Sequence, residues 1–219
     1  MNSLVDIVAV IPAAGRPTNQ ILLHTNLPDT MLPINGKPVI GYILENLLER
    51  GISRSIIALH ADDQVTEDYV TKKFGSKLAL TIVRDRQYGR GLGHTIQQTV
   101  AEISPTDQVL IYLGDTVYHG PLSFEEDFVV TSNDYDQPSQ WCFIETDDDV
   151  QQYVNKPKEY TGAGSVLVGI YFFTDANALR QSVDTIDEQS PFHELHQTLN
   201  AYPKKFKTVQ AEGRYRLFD

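Results

Sequence analysis

An aspartate that directly follows a buried strand is the residue best placed to do chemistry. Val109 to Leu113 is a continuous run of apolar and aromatic residues, typical of a strand buried on both faces, and it ends in Gly114 and Asp115. Open α/β sheets bind ligands at the carboxyl ends of their strands. Glycine allows close backbone approach there, and a carboxylate suits Mg²⁺ held together with substrate phosphates. The same residues also fit a strand followed by a plain turn, so the interpretation depends on the rest of the chain.

Two loops of small residues could offer backbone N–H groups to a nucleotide. Ala13, Ala14 and Gly15 follow the first apolar run, and alternating glycines lie in residues 85–95, between a strand and a helix. Small residues let N–H groups approach a phosphate or a base, and the helix that follows the second loop presents its positive end to an anion. The second loop matches neither the Walker loop nor the dinucleotide fingerprint. For the first loop, the alternative of a plain loop without a binding role remains.

The elements that position these loops alternate between strands and helices in the first half. Apolar runs and helical stripes predict strands at 5–11, 55–59, 78–83 and 109–113 and helices at 39–50, 64–73 and about 92–103. This alternation indicates an α/β fold with a mixed, mostly parallel central sheet flanked by helices.

The second half contains more strands and fewer helices, which predicts an antiparallel extension of the sheet. His193 and His196 have no third ligand near them in sequence and are interpreted as surface histidines. The predicted strands are 128–131, 141–145, 150–156, 166–173 and 206–210, and the predicted helices are 177–183 and 191–202.

Composition excludes several classes of function. A formal net charge of −11 over 219 residues disfavours nucleic acid and anionic membranes as partners, because both reward clustered Lys and Arg. No apolar run approaches the ~20 residues of a membrane span, and the first residues lack the basic flank of a signal peptide. The single cysteine, Cys142, fits a reducing compartment and is interpreted as a packed thiol. We therefore expect a cytoplasmic protein of one domain, with the possibility of a homo-oligomer left open.

In their order along the chain, these segments resemble the sugar-1-phosphate nucleotidyltransferases, also called nucleoside-diphosphate-sugar pyrophosphorylases. The ordered set is more specific than any single motif. It comprises the first strand with Ala13-Ala14-Gly15, then Leu32-Pro33-Ile34-Asn35-Gly36-Lys37-Pro38, the glycine-rich loop, Leu113-Gly114-Asp115, Asn155-Lys156-Pro157 and Val168-Gly169-Ile170-Tyr171.

The resemblance implies a Rossmann-like sheet of the GT-A type and a transfer of NMP from an NTP to a phosphorylated acceptor, with release of pyrophosphate. The acceptor it implies is a sugar 1-phosphate, in nucleotide-sugar and polysaccharide biosynthesis. Residues 1–120 would form the nucleotide-binding half and residues 121–219 the acceptor-binding half. Asp115 and Asp219 would hold Mg²⁺, and Lys156 would contact the acceptor phosphate. The implied nucleotide-binding residues are Ala13, Ala14, Gly15, Gln87, Gly91, Leu92 and Gly114.

At two positions the chain lacks a basic side chain that the family pattern has. Asn19 stands at the place of the catalytic Arg, and Asp29 stands where the family has the Lys of a Pro-Lys pair. Arg16 could supply the first missing charge, whereas a carboxylate at Asp29 would repel phosphate. Three possibilities follow: a divergent transferase with a changed acceptor, which we favour; a site completed by residues beyond Asp219; or a domain that binds nucleotide without turnover.

The alternative functions are CTP-dependent cytidylyl transfer to a non-sugar phosphorylated acceptor, a non-catalytic nucleotide-sensing domain, and glycosyl transfer. Glycosyl transfer would need an Asp-x-Asp motif after the central strand, and the chain has Gly114-Asp115-Thr116-Val117 there. The ending at Asp219, where the family usually continues, suggests that the sequence is a piece of a longer polypeptide.

Overall fold

The computed structural model describes residues 7–15, 27–87, 89–148, 150–184 and 192–211. Within these ranges the chain builds one large sheet with helices on both faces. Parallel pairing of β1 with β4 and β6, and of β4 with β5, forms its first half, as the sequence predicts. The elements of this half are β1 (Ile7–Ala13), β2 (Pro33–Ile34), β3 (Lys37–Pro38), α1 (Val39–Glu49), β4 (Arg54–His60), α2 (Gln64–Phe74), β5 (Ala79–Asp85), α3 (Leu92–Thr99) and β6 (Gln108–Tyr112).

The second half extends the same sheet with mostly antiparallel strands, whereas β11 pairs with β7 in parallel. β10 lies between β6 and β7 and is antiparallel to both, giving the strand order β11-β7-β10-β6-β1-β4-β5. β8 pairs with β10 and forms a hairpin with β9. The predicted mixed α/β fold is confirmed, while the division into a nucleotide-binding and an acceptor-binding half stays a prediction. The elements are β7 (Phe128–Ser132), β8 (Cys142–Asp147), β9 (Val150–Asn155), β10 (Ser165–Phe173), α4 (Ala176–Asp184), α5 (Leu195–Ala201) and β11 (Lys207–Gln210).

Two apolar cores hold the helices against the sheet. α1 packs Ile40, Leu44 and Leu47 into the core on one face, whereas Ile96 of α3 and Leu179 of α4 pack into the core on the other. Strands with a core on each side must be apolar throughout, which is why the continuous runs in the sequence identified them. No helix within the described ranges is long and apolar enough to cross a membrane.

Local signals end the first helix and set the turn before it. Asn35 and Gly36 both have positive φ, 48° and 80°, as a two-residue hairpin turn requires, and they join β2 to β3. Gly51 follows α1 with φ 78° and donates its N–H to Leu48 O at 3.0 Å. Both positions confirm the prediction, because glycine adopts this backbone conformation without the steric cost of a Cβ.

Two helix predictions were too long. α3 ends at Thr99 and continues only as the 3₁₀ turn Val100–Glu102. The predicted helix at 191–202 begins only at Leu195, and residues 192–194 are not helical. Their backbone is hydrogen-bonded to the glycine-rich loop instead, so a tertiary contact overrides the helical apolar pattern.

Candidate active site

A cavity of about 570 Å³ opens at the carboxyl ends of β1 and β6. Its volume lies within the usual range for small-molecule sites, and its place at the ends of parallel strands is the expected one for this architecture. Residues from both halves of the chain line it. From the first half these are Pro12, Ala13, Ala14, Gly15, Asp29, Thr30, Gly89, Gly91, Leu92, Thr95, Leu113, Gly114, Asp115 and Thr116.

The structure brings most of the predicted site residues together. Ala13–Gly15, Gly91, Leu92, Gly114, Asp115 and Lys156 all line the cavity. Gln87 does not, and its Oε1 accepts a hydrogen bond from Arg90 at 2.8 Å. Arg16, Asn19 and Asp219 lie outside the described residues. The roles assigned to individual residues stay predictions.

Gly114 brings β6 against the loop that follows β1. Its N–H donates to Pro12 O at 3.3 Å, and a Cβ at this position would lie 3.1 Å from the same oxygen and from Ala13 Cβ. A side chain at this position would require the loop after β1 to move by a few tenths of an ångström. The glycine therefore keeps Asp115 close to the small residues of the first loop.

Hydrogen bonds fix the segment that carries Asp115. Leu113 N–H donates to Gly169 O at 2.9 Å, and Thr116 Oγ1 lies 3.2 Å from Val168 O and 3.3 Å from Asp115 Oδ1. The partners belong to a bulge of β10 at which Gly169 has φ 96°. A Cβ on Gly169 would lie 2.6 Å from Thr116 Oγ1, so the bulge and the Asp115 segment fit together only with glycine.

Lys156 reaches the cavity from the end of the β8–β9 hairpin. Its backbone has φ 47°, in the left-handed region that residues with a Cβ occupy at a cost of roughly 1 kcal/mol. The N–H of Lys156 donates to Trp141 O at 2.8 Å, which holds this conformation. A strained backbone retained at a cavity is typical of a residue whose side chain must point in one direction.

A buried carboxylate organises the glycine-rich loop, residues 86–91, between β5 and α3. Asp85 is 2% exposed, accepts from Gln87 N–H at 2.8 Å and accepts from Thr95 Oγ1 at 3.2 Å. It therefore ties the loop to the first turn of α3, and Gly91 and Leu92 of this region face the cavity.

The second half supplies lining residues that the sequence did not reveal. Five of them, Trp141, Tyr171, Phe192, Glu194 and His196, are here called the second-half wall. No spacing connects them, because they come from a loop, a strand, an extended segment and a helix. Trp141 alone carried a signal, since it precedes Cys142 in an apolar stretch. The other second-half lining residues are Gln140, Cys142, Asn155, Lys156, Leu167, Val168, Gly169, Leu195 and Leu199.

The described charges of the cavity are mainly negative. Its lining includes the carboxylates Asp29, Asp115 and Glu194 and one ammonium, Lys156. Burial raises the pKa of the Cys142 thiol to about 12, and the nearby Glu194 adds to this, so the thiol is protonated at neutral pH. The interpretation of Cys142 as a packed thiol rather than a nucleophile agrees with this shift.

The interpretation of both late histidines as surface residues was wrong for His193. His193 is 5% exposed, because residues 192–194 pack against the glycine-rich loop, and its Nε2 lies 3.2 Å from Thr198 Oγ1. Burial, followed by the proximity of His94, His196 and Arg90, lowers the pKa of His193 to about 4. Among the described residues no group of three or more His, Cys, Asp and Glu side chains could hold a metal ion by itself.

Acid is expected to destabilise the fold through His193. Its pKa is about 4 when folded and 6.5 when unfolded, so the unfolded chain takes up the proton first and stability falls as the pH drops from 6.5 towards 4. The loss between pH 7 and pH 5 should be about 2 kcal/mol. Urea unfolding at both pH values should show a smaller loss for His193→Gln than for the wild type. The exposed-site control His119→Gln should keep the wild-type dependence, and equal losses in all three proteins would contradict the assignment.

The comparison with known families identifies this arrangement. The profile of the MobA-like NTP transferase domain matches residues 9–126, which is more than half of the chain. The chain belongs to this NTP transferase family. The matched region runs from β1 past Asp115 and includes both loops of small residues, 13–15 and 86–91. The predicted resemblance to the nucleotidyltransferases is therefore confirmed.

Relatives of this NTP transferase domain include enzymes with different acceptors. It is 23% identical over 180 residues to UTP–glucose-1-phosphate uridylyltransferase AglF of Haloferax volcanii, covering 77% of this chain and 72% of that one. It is 27% identical over 184 residues to choline-phosphate cytidylyltransferase of Streptococcus pneumoniae, covering 82% of this chain and 75% of that one. For several other curated relatives the chain spans less than half of their length.

A solved structure confirms the fold. UDP-glucose pyrophosphorylase complexed with UDP-glucose superposes with a TM-score of 0.75 at 22% identity, covering 95% of this chain and 91% of that one. The predicted activity class, nucleotidyl transfer from an NTP to a phosphorylated acceptor with release of pyrophosphate, is likewise confirmed by the family match and the curated relatives.

Proposed function

We propose that this NTP transferase uses a sugar 1-phosphate as its acceptor and that the reaction takes place in the cavity between the two halves. The observation that carries the proposal is the convergence of residues from both halves on one cavity. Ala13–Gly15, Gly91 and Leu92 face it from the nucleotide side, and Asp115 and Lys156 face it from the ends of β6 and β9. A sheet-end cavity with this lining has room for a nucleotide beside a second phosphorylated molecule.

In the proposed reaction the acceptor's phosphate oxygen attacks the α-phosphorus of the NTP in line, and pyrophosphate leaves. The nucleophile is already anionic, so the site needs no general base, and catalysis consists of positioning and charge neutralisation. The backbone of Ala13–Gly15 would cradle the nucleotide, and the Lys156 ammonium would orient the acceptor phosphate. Gly114 would keep the two binding regions in contact.

The donor set fits Mg²⁺ bound together with substrate. Mg²⁺ typically takes one or two carboxylates plus substrate phosphates rather than an all-protein cage. Asp115 offers such a carboxylate at the cavity, and Asp219, outside the described residues, is the second candidate. When bound, the ion would neutralise phosphate charge in a cavity whose described side chains are mainly acidic.

One observation favours a second acceptor class, a non-sugar phosphate with a cationic head that is used with CTP. The second-half wall combines the carboxylate of Glu194 with the aromatic rings of Trp141, Tyr171 and Phe192. Aromatic rings and an acid are the groups that bind quaternary ammonium ions. The choline-phosphate cytidylyltransferase of S. pneumoniae shows that a relative of this chain acts on such an acceptor.

A matrix of UTP, CTP, GTP, ATP and dTTP against glucose 1-phosphate, glucosamine 1-phosphate, inositol 1-phosphate and phosphocholine tests these proposals. Pyrophosphate release with Mg²⁺, abolished by EDTA, is expected for one nucleotide with a sugar 1-phosphate. Release only with CTP and phosphocholine would select the second class. Nucleotide binding by calorimetry without release from any pair would favour the sensing domain. Since the one cysteine has no partner within the chain, we also propose the reducing cytoplasm as the location.

A further inference from the structure

The segment 192–194 is bound through its backbone to the glycine-rich loop and to the first turn of α3. His193 N–H donates to Arg90 O at 2.6 Å, and His94 N–H donates to His193 O at 3.1 Å. His193 thus donates one backbone hydrogen bond and accepts another, as a residue in a β-strand does with the neighbouring strand. The loop belongs to the first half of the chain and the segment to the second, so the two sides of the cavity are joined here.

Two glycines in this region leave room for His193. A Cβ on Gly91 would lie 2.3 Å from His193 O, and a Cβ on Gly93 would lie 2.4 Å from Cδ2 and 2.5 Å from Nε2 of the His193 ring. Gly93 lies in α3, whose backbone does not require glycine, so the His193 ring and the Glu194 carbonyl carbon, 2.9 Å from the same Cβ, are what demand it. Gly93 does not line the cavity. Any effect of Gly93 on a bound ligand must therefore pass through its neighbours.

The side chains of the segment alternate between cavity and interior. Phe192 and Glu194 line the cavity, whereas His193 does not and its ring is buried. Glu194 has the extended backbone, φ −97° and ψ 152°, that turns successive side chains to opposite sides. Phe192 lines the cavity and is 51% exposed, one of three large apolar side chains exposed to this degree among the described residues. His193 thus helps to set the positions of its two neighbours, and Glu194 is held as well by its N–H bond to Gln197 Oε1 at 2.8 Å.

We propose that His193 is a positioning residue for the transfer reaction: its backbone bonds to Arg90 and His94 and its ring contact with Gly93 fix Phe192 and Glu194 relative to the glycine-rich loop. The inference rests on the proposed function in taking the loop as the nucleotide side and the second-half wall as the acceptor side. Its consequence is that nucleotide binding at the loop orders the residues that meet the acceptor. Acceptor affinity then depends on Gly93, a residue that touches neither substrate.

The first test compares steady-state constants for the best nucleotide–acceptor pair of the matrix. Gly93→Ala should raise the KM of the acceptor about tenfold, since displacing the segment misplaces Phe192 and Glu194, and should change kcat less. His193→Ala in the Gly93→Ala background should recover part of the loss, because it removes the ring that the new methyl meets. Gln98→Ala, on the exposed side of α3, is the control and should match the wild type. An unchanged acceptor KM in folded Gly93→Ala, or no recovery in the double variant, would overturn the proposal.

If Gly93→Ala does not fold, the proposal can be tested with substitutions of His193, which remove atoms instead of adding them. His193→Ala alone should raise the acceptor KM. In His193→Gln the side-chain amide can still bond to Thr198 Oγ1, so the acceptor KM should return most of the way to the wild-type value. A loss of kcat without any change in acceptor KM, or no rescue by glutamine, would show a merely structural role.

The second test needs no turnover. Amide hydrogen exchange of residues 192–199 is measured with Mg²⁺ and UTP or CTP in the absence of acceptor. Either nucleotide should slow exchange in the wild type and not in Gly93→Ala. Coupling of this kind without pyrophosphate release would support the link between the loop and the segment and contradict the proposed function. Pyrophosphate release without coupling would overturn the inference and leave the function standing.

Discussion

Replacing Asp115 by asparagine is expected to lower kcat by about 10²–10³, the loss seen when a charge-stabilising group at a reacting centre is removed. The amide keeps the shape of the side chain but loses the charge that suits Mg²⁺ and its phosphates. Since Leu113 and Thr116 hold this segment through their own bonds to β10, the fold should tolerate the change. Pyrophosphate release with the best substrate pair measures the rate, and urea unfolding checks the fold.

The matched control for this substitution is Asp62→Asn. The Asp62 side chain is 92% exposed and lies outside the cavity, so the same chemical change there should leave kcat unaltered. A near-normal rate for Asp115→Asn would remove Asp115 from the site. Equal losses at both positions would point to a general effect of charge instead.

Replacing Lys156 by alanine is expected to reduce kcat/KM by about 10², with a rise in the acceptor KM, because the ammonium would no longer meet the acceptor phosphate. Lys156→Gly separates the side chain from its backbone. Glycine adopts φ 47° without a steric penalty, so this variant should be at least as stable as alanine and equally impaired. Lys158→Ala, two residues along the chain and outside the cavity lining, should retain activity.

Steady-state kinetics on the three variants checks this role. If Lys156→Ala and Lys158→Ala are impaired equally, Lys156 contributes only to the general potential of the surface. If glycine restores activity that alanine loses, the left-handed backbone rather than the ammonium is what the site needs.

The central strands, such as β1, β4, β6 and β10, could be predicted from the sequence because they are buried on both faces. The run that contains Leu110 and Ile111 is apolar throughout, and the structure puts both residues at 0% exposure. A strand between two apolar cores has no polar face to confuse with a helix or a loop. The helical stripe of α1 was equally clear, since Ile43 and Leu47 recur at helical spacing on one buried face.

The extended segment 192–194 could not be predicted, because its conformation depends on a distant loop. Phe192, Leu195 and Leu199 follow a helical period, but the backbone of His193 pairs with Arg90, far away in sequence. The second-half wall was missed for the same reason: Tyr171 and Glu194 line one cavity only when β10 and the segment before α5 are in place. Sequence motifs identified the cavity residues that lie in loops after strands. They did not identify the second-half wall, whose residues come together only through tertiary packing.

The position of β10 has a consequence for how the chain folds. Residues 165–173 insert between β6 and β7, and β6 ends at Tyr112, well before β10 begins. During synthesis the apolar β6 has an unpaired edge until β10 appears, and an open apolar edge is a site for aggregation. Sheet completion therefore waits for a contact between distant parts of the chain, which favours slow folding on the scale of non-local β proteins.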